Sequence, residues 1–480
     1  MATHANIEYS TKRPKEQDLN YTMVQAFEWY SPGGGVHWNT LKDRVQELSD
    51  MGVTAMWLPP PTKASSQNSV GYDIYDILIR YGTSANLTKR AENEPIMAPR
   101  KSSWILCDMH MRMVGIVGYV DAVLNHKFGA DRTERFRATE VDPNDRTRDI
   151  TDKYDIEGWT AFDFPGRNGK YSQLKWTFNH FTVRMGPIFR IDGDGKNWAQ
   201  GVDHENRNYD YLMGADIDHR HPEAHDDLLA WGKWVIDEIG AAGFRFDAIK
   251  HIDDVFIAEF VKHVRAETHK SSMFAVGEFW KDSLEDINNY LNKLGTQFSV
   301  FDAPLHYNFK EASEAGNNFD LREIFSGTLV KSRPMDAVSS PRVLGISVVQ
   351  TACVRAHLAP RRWLPVDLYG CGGDNPQPPV NQLADIIRAR KLFSYGETWV
   401  RAGDEHHDGC AVVICNGDEG AKFLDVGKDH AGEKWTDLLN WHDGEVTIGE
   451  EGWAEFRCPA RSISIWTKSD ARGREEFKKD

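Results

Sequence analysis

Apolar runs of strand length alternate along this chain with amphipathic stretches of helical period. Residues 21–29 (YTMVQAFEW) form an apolar run, and residues 38–49 (WNTLKDRVQELS) bring Leu41, Val45 and Leu48 to one helical face. Residues 53–58 make a second strand, stopped by Pro59, Pro60 and Pro61. The order resumes with strands over 115–124, 243–249, 273–279 and 298–305, and with helices over 253–269 and 283–294. Repeated βα units with polar residues at the strand C-termini predict an α/β chain folded as a (β/α)8 barrel rather than an open doubly wound sheet. No GxGxxG or GxxxxGK follows a strand, which weakens a nucleotide-binding alternative further.

Two stretches break the rhythm. Between His126 and His221 the chain is dense in Asp, Gly, Asn and aromatic residues and is too long for a loop of a compact barrel, so an inserted subdomain after the third strand is expected. After Phe393 come short alternating segments such as 410–416 and 462–467, separated by Gly and Asp turns, which predict a C-terminal antiparallel β-sandwich domain. The expected division is a barrel over 1–126 and 221–392, an insertion over 127–220 and a β domain over 393–480.

Composition narrows the function. A chain of 480 residues, 40% hydrophobic and 27% charged, has the profile of a soluble multidomain enzyme. Its formal net charge of -15 repels phosphate backbones and anionic headgroups, which argues against nucleic acid or membrane as the main partner. The six cysteines (Cys107, Cys353, Cys371, Cys410, Cys415 and Cys458) show no CxxC or zinc-like spacing and are expected as free thiols. A polar start without an apolar leader, and no apolar run of 18 residues, predict a cytoplasmic protein, expected as a monomer.

Candidate chemistry gathers at strand ends. In GFRFDAIKHI, residues two apart share a face, so Arg245 and Asp247 project together while Phe244 and Phe246 enter the opposite layer. The guanidinium favours an ionised Asp247, which suits a nucleophile and equally suits a structural ion pair. Glu278 in VGEFW lies among Phe274, Val276, Phe279 and Trp280, an apolar setting that suits a protonated general acid; taken alone it reads as an ordinary loop charge. Asp121 lies within a strand of VDAVLNH and needs a partner, for which Arg245 is available. His126 either donates to a substrate hydroxyl or satisfies a backbone carbonyl. Asp210, Asp216 and Asp218 offer hard oxygen ligands of the kind calcium takes, without EF-hand spacing, and a solvated acidic loop explains them as well. The pairing of Asp247 with Glu278 raises both, since two carboxyl groups at one barrel mouth are what a retaining glycosidase requires.

Taken together, VDAVLNH, GFRFDAIKHI and VGEF resemble, in order, three of the four motifs of the α-amylases of the large starch-acting glycoside hydrolase family, in their bacterial liquefying and intracellular fungal form. QAFEW near the N-terminus, GYDIYD at residues 71–76 and residues 208–218 extend the likeness. The resemblance implies endo-hydrolysis of α-1,4-glucosidic bonds, with Asp247 as nucleophile, Glu278 as acid and base, Arg245 as orienting cation and Tyr72 as a stacking platform. It makes Asp121, His126, Lys250, His251 and Trp29 partners of the glucan. It also implies a structural calcium ion held by Asn125, Asp210, Asp216 and the carbonyl of His251.

The likeness stops abruptly over residues 78–113, 182–191 and 339–366. The last stretch lacks the family's Asn-His-Asp motif and is too short for a seventh strand, a helix and an eighth strand, so barrel closure is in question there. Without the third acid, a glucan-binding homologue of impaired activity and a transglycosylating relative are the alternatives to a hydrolase.

Overall fold

The computed structural model describes residues 20–27, 36–65, 69–77, 111–167, 172–184, 186–339, 382–394 and 401–477. Seven parallel strands run in sequence order through one sheet: β1 (Met23–Gln25), β2 (Ala55–Leu58), β3 (Val117–Ala122), β4 (Gly243–Phe246), β5 (Phe274–Gly277), β6 (Ser299–Phe301) and β7 (Ala337–Val338). Neighbouring strands in chain order, all parallel, with helices between them, make the inner wall of a (β/α) barrel. The longer α-helices among the described residues are α1 (Val36–Met51), α2 (Pro222–Trp234), α3 (Asp254–Glu267), α4 (Leu284–Leu294), α5 (Ala303–Ala315) and α6 (Leu383–Phe393).

Local sequence explains where these elements stop. Asp253 and Ser283 cap α3 and α4 by accepting from Val255 N–H and Asp286 N–H. The strand expected over 298–305 ends early because Asp302 caps α5 and Pro304 occupies its first turn. At the start of β4, a Cβ on Gly243 would lie 2.1 Å from the Phe274 carbonyl oxygen, so only glycine lets β4 and β5 begin side by side. Phe244 and Phe246 leave the barrel interior as the alternation requires and pack on Phe260 of α3, with ring centroids 5.6 and 5.5 Å away.

Two results bear on barrel closure. A two-residue seventh strand is in register, with Val300 opposite Ala337 and Phe301 opposite Val338. In the outer layer α6 lies against α1: Lys391 Nζ donates to the Asp50 carbonyl at 2.9 Å, and Asn20 Nδ2 donates to the Arg390 and Ser394 carbonyls, each at 2.9 Å. The ring of helices therefore joins its last member to its first. The place of an eighth strand, within 340–381, falls outside the described residues, as does most of 78–113.

Residues 126–217 carry a six-stranded antiparallel sheet in the order His126–Lys127, Ala215–Ile217, Phe181–Arg184, Phe189–Ile191, Arg132–Glu140 and Tyr154–Ala161. Within 182–191, where the likeness lapses, the strand ending at Arg184 pairs antiparallel with Phe189–Ile191 at the centre of this sheet. Beyond α6, Arg401–Gly403, Asp408–Cys415, Ser462–Lys468, Lys434–Asp437 and Glu445–Thr447 form an antiparallel sheet, and Gly420–Asp425 pairs with Trp453–Cys458. Trp435, Phe456 and Trp466 fill the space between these sheets. Cys415 and Cys458 are free thiols and Cys410 is buried; the other three cysteines lie outside the described residues.

Candidate active site

Parallel register sets the site. β3 and β4 place Arg245 opposite Asp121, and the ladder continues one residue beyond the strands, with Asp247 N–H donating to Ala122 and Glu278 N–H donating to Phe246, each at 3.0 Å. Asp121, Arg245, Asp247 and Glu278 thus meet at the C-terminal mouth of the barrel, where the loops of such folds carry chemistry.

One guanidinium organises the acids. Arg245 Nη1 donates to Asp121 Oδ1 at 2.8 Å and to Asp247 Oδ1 at 2.7 Å, while Nη2 holds Glu278 Oε2 in a short charge-assisted contact. The cation also lies over the Trp57 ring, 4.3 Å from its centroid. Asp121 is fully buried, and its second oxygen accepts from Tyr72 Oη at 2.6 Å and Trp57 Nε1 at 3.1 Å. Burial, opposed by Arg245 and reinforced by Asp247, pushes the Asp121 carboxyl up to about 7. Burial and then Asp121 raise the Tyr72 phenol well above its ordinary value, so Tyr72 acts as a donor.

The setting of Glu278 differs from the apolar one expected. Phe279 turns away to pack on Tyr290 and Trp280 is 39% exposed, and the carboxylate is held by Arg245. The side chain of Glu278 is 22% exposed against 11% for that of Asp247. Trp280 lies 5.0 Å from the His306 ring and 6.3 Å from Tyr307, an aromatic ledge just past Glu278.

The other expected ligands divide. His126 is buried, with Nε2 2.9 Å from the Tyr72 carbonyl and Nδ1 3.2 Å from Asn125 Oδ1, so both nitrogens face protein oxygens. Burial lowers its pKa to about 4. Lys250 Nζ donates to Glu205 at 2.9 Å and to the Trp280 carbonyl at 3.3 Å. His251 is pinned by Nδ1 lying 2.6 Å from the Tyr209 carbonyl. Trp29 lies outside the described residues. Trp57 was not anticipated; the only sequence signal for it is an indole at the end of a buried strand.

Asn125, Asp210, Asp216 and His251 do converge. Asn125 Nδ2 lies 3.0 Å from the His251 carbonyl, 3.1 Å from Asp216 Oδ1 and 3.3 Å from the Asp210 carbonyl. Three oxygens thus crowd an amide that has two protons to give. Burial pushes Asp210 up to about 7; burial, then the charge of Asp210, raises Asp216 well above the usual range. Asp218 stands apart: burial would raise it, but Lys196 and Arg220, paired to it at 3.3 and 2.9 Å, bring it below the usual value.

A parallel barrel with carboxylates at the ends of neighbouring strands, drawn together by an arginine, defines a glycoside hydrolase of the barrel class. Residues 25–334, well over half the chain, match the family model described as "Alpha amylase, catalytic domain". The chain is 40% identical to the glucan 1,4-alpha-maltohexaosidase of Bacillus sp. (strain 707) over 93% of its own length and 92% of that protein's. It is 37% identical to the alpha-amylase of Bacillus licheniformis, covering 94% of each. It is 33% identical to the cytoplasmic alpha-amylase of Escherichia coli (strain K12), over 93% of this chain and 98% of that one. Among solved structures, the alpha-amylase of Geobacillus thermoleovorans complexed with acarbose has a similar fold, with a TM-score of 0.55 at 15% identity, over 90% of this chain and 91% of that one. The chain belongs to the alpha-amylase family.

Proposed function

We propose that this chain hydrolyses internal α-1,4-glucosidic bonds of starch, glycogen or maltooligosaccharides by a retaining double displacement. The observation that carries the reading is Arg245, which holds Asp247 and Glu278 at adjacent strand ends through the two arms of one guanidinium. Asp247, the less exposed acid, attacks the anomeric carbon; Glu278, nearer solvent, protonates the departing glycosidic oxygen and exchanges its proton with water. In the second half, Glu278 takes a proton from water, the resulting hydroxide attacks the same carbon, and Asp247 leaves. Two inversions give net retention. Tyr72, with its hydroxyl anchored on Asp121, serves as the stacking face beneath the sugar.

Proton NMR of freshly cut maltooligosaccharide tests this: the α-anomer appears first and mutarotates later. First appearance of the β-anomer contradicts the assignment of Asp247 as nucleophile.

The oxygen cluster fits calcium. Its donors are all hard, its two carboxylates are buried and close enough for the charge of Asp210 to raise Asp216, and the family relationship favours such an ion. Asn125, Asp210, Asp216 and the His251 carbonyl would hold it, joining the 126–217 sheet to the turn after β4. Such an ion supplies neutralising charge and rigidity, while the bond-breaking steps belong to Asp247 and Glu278. Chelator treatment is expected to lower the melting temperature, by an amount equivalent to about 2.7 kcal/mol relative to calcium at a hundred times its Kd. Readdition of calcium restores it; an unchanged melting curve at all calcium levels would count against the site.

A cytoplasmic setting is consistent with the similarity to the cytoplasmic alpha-amylase of Escherichia coli. No helix among the described residues is long and apolar enough to cross a membrane.

A further inference from the structure

His180 and the His221-Pro222-Glu223 turn, whose first residue lies 41 positions further along the chain, are brought together at the start of α2. One ring nitrogen of each histidine and one carboxylate oxygen of Glu223 all lie within 4.8 Å of one another. We propose that His180, His221 and Glu223 form a zinc-binding site, separate from the oxygen cluster at Asn125, that clamps the 177–181 segment to the first turn of α2.

The spacing is close to what zinc requires. Bonds of about 2.0–2.1 Å in tetrahedral array put neighbouring ligand atoms about 3.3–3.4 Å apart. His180 Nε2 and Glu223 Oε2 are already 3.3 Å apart. The His221 ring lies 4.5 Å from the His180 ring, centroid to centroid, at 60°, so a small rotation about its side-chain bonds completes the third edge. Its Nδ1 is buried and makes no hydrogen bond, an arrangement that costs free energy unless something occupies the nitrogen.

The surroundings support a cation with nitrogen ligands. Burial, followed by the nearness of His221, lowers the pKa of His180, so its ring is neutral and available as a ligand at physiological pH. Behind it, Nδ1 is 3.2 Å from the Thr177 carbonyl and 3.3 Å from the Thr177 hydroxyl, outer-shell oxygens that orient a metal-bound imidazole. The Thr177 N–H also points at Nδ1, at 2.8 Å, so binding zinc through Nε2 moves the ring proton from Nε2 to Nδ1 and exchanges that contact for the carbonyl one. The positive end of α2 opposes a cation here, and the carboxylate of Glu223 in its first turn offsets it. Glu223 is largely exposed, which leaves an open path for the ion and a fourth position for water. Two imidazoles and a carboxylate select a borderline ion such as zinc, whereas Asn125, Asp210 and Asp216 offer only oxygen.

The test uses the full chain, stripped with chelator and then saturated with calcium so that the oxygen cluster is occupied. Zinc chloride is titrated by calorimetry, and cobalt(II) is added in parallel to read the visible absorption of a tetrahedral nitrogen-ligated site. Parent protein is expected to take up a zinc equivalent that His221→Ala and Glu223→Gln bind at least about tenfold more weakly, with loss of the cobalt bands in His221→Ala. Both positions are at least partly exposed, and both variants are expected to keep the zinc-free melting curve, which separates loss of the site from loss of the fold. Equal zinc affinity in all three proteins, or no zinc uptake by the parent, overturns the proposal.

Discussion

Asp247→Asn is expected to lower kcat on soluble starch by about 10⁴-fold or more, the scale on which removing an essential nucleophile acts. The amide keeps the shape of the carboxylate and one oxygen for Arg245 Nη1, 2.7 Å away in the parent. It has no negative charge with which to attack the anomeric carbon, so the covalent glycosyl intermediate does not form. Glucan binding depends on other groups, chiefly the aromatic faces and the loops around the mouth, and KM is expected to change far less than kcat. Reducing-end release by parent and variant on one preparation of soluble starch, with bound maltooligosaccharide measured separately, checks both halves. Activity within tenfold of the parent removes Asp247 from the chemistry.

The second large effect is on stability. Arg245→Met is expected to destabilise the barrel by about 3–5 kcal/mol, because it strands buried carboxylates rather than merely losing a pair. Asp121 is fully exposed to that loss: it has no contact with water, and its remaining donors are Tyr72 and Trp57. The indole of Trp57 also loses the cation over its face. Urea titration followed by tryptophan fluorescence reads the shift, and the double variant with Asp121→Asn isolates its cause. Neutralising Asp121 is expected to recover part of the lost stability, since a buried acid that must otherwise take up a proton or stay charged without its cation is then gone. A double variant less stable than Arg245→Met by the full cost of Asp121→Asn alone shows that the two side chains do not act together. The same substitution abolishes the alignment of Asp247 and Glu278, so activity falls with it.

Much of the site is legible in the sequence. The two-residue period of a strand puts Arg245 and Asp247 on one face, and a buried aspartate in the preceding barrel strand needs a cation; both pairings occur, at 2.7 and 2.8 Å. Glu278 shows where such reasoning stops. Its sequence neighbours are apolar, but Phe279 turns toward Tyr290 and Trp280 lies at the surface, and the charged group that reaches Glu278 comes from β4. Sequence neighbours share a chain, and across a sheet they seldom share an environment.

The same limit governs contacts between distant segments. Trp57 on Asp121, Lys391 on the carbonyl of Asp50, and His180 beside His221 join residues 41 to 341 positions apart. None has a local pattern that announces it, because each depends on how helices and loops settle around the sheet.

Strand polarity, the order of βα units and the residue types at the strand ends belong to the sequence, since backbone period and side-chain chemistry are local properties. The tertiary structure decided which oxygen faces which cation. One guanidinium gathering Asp121, Asp247 and Glu278 follows from the register of β3, β4 and β5, and register is a property of the packed sheet.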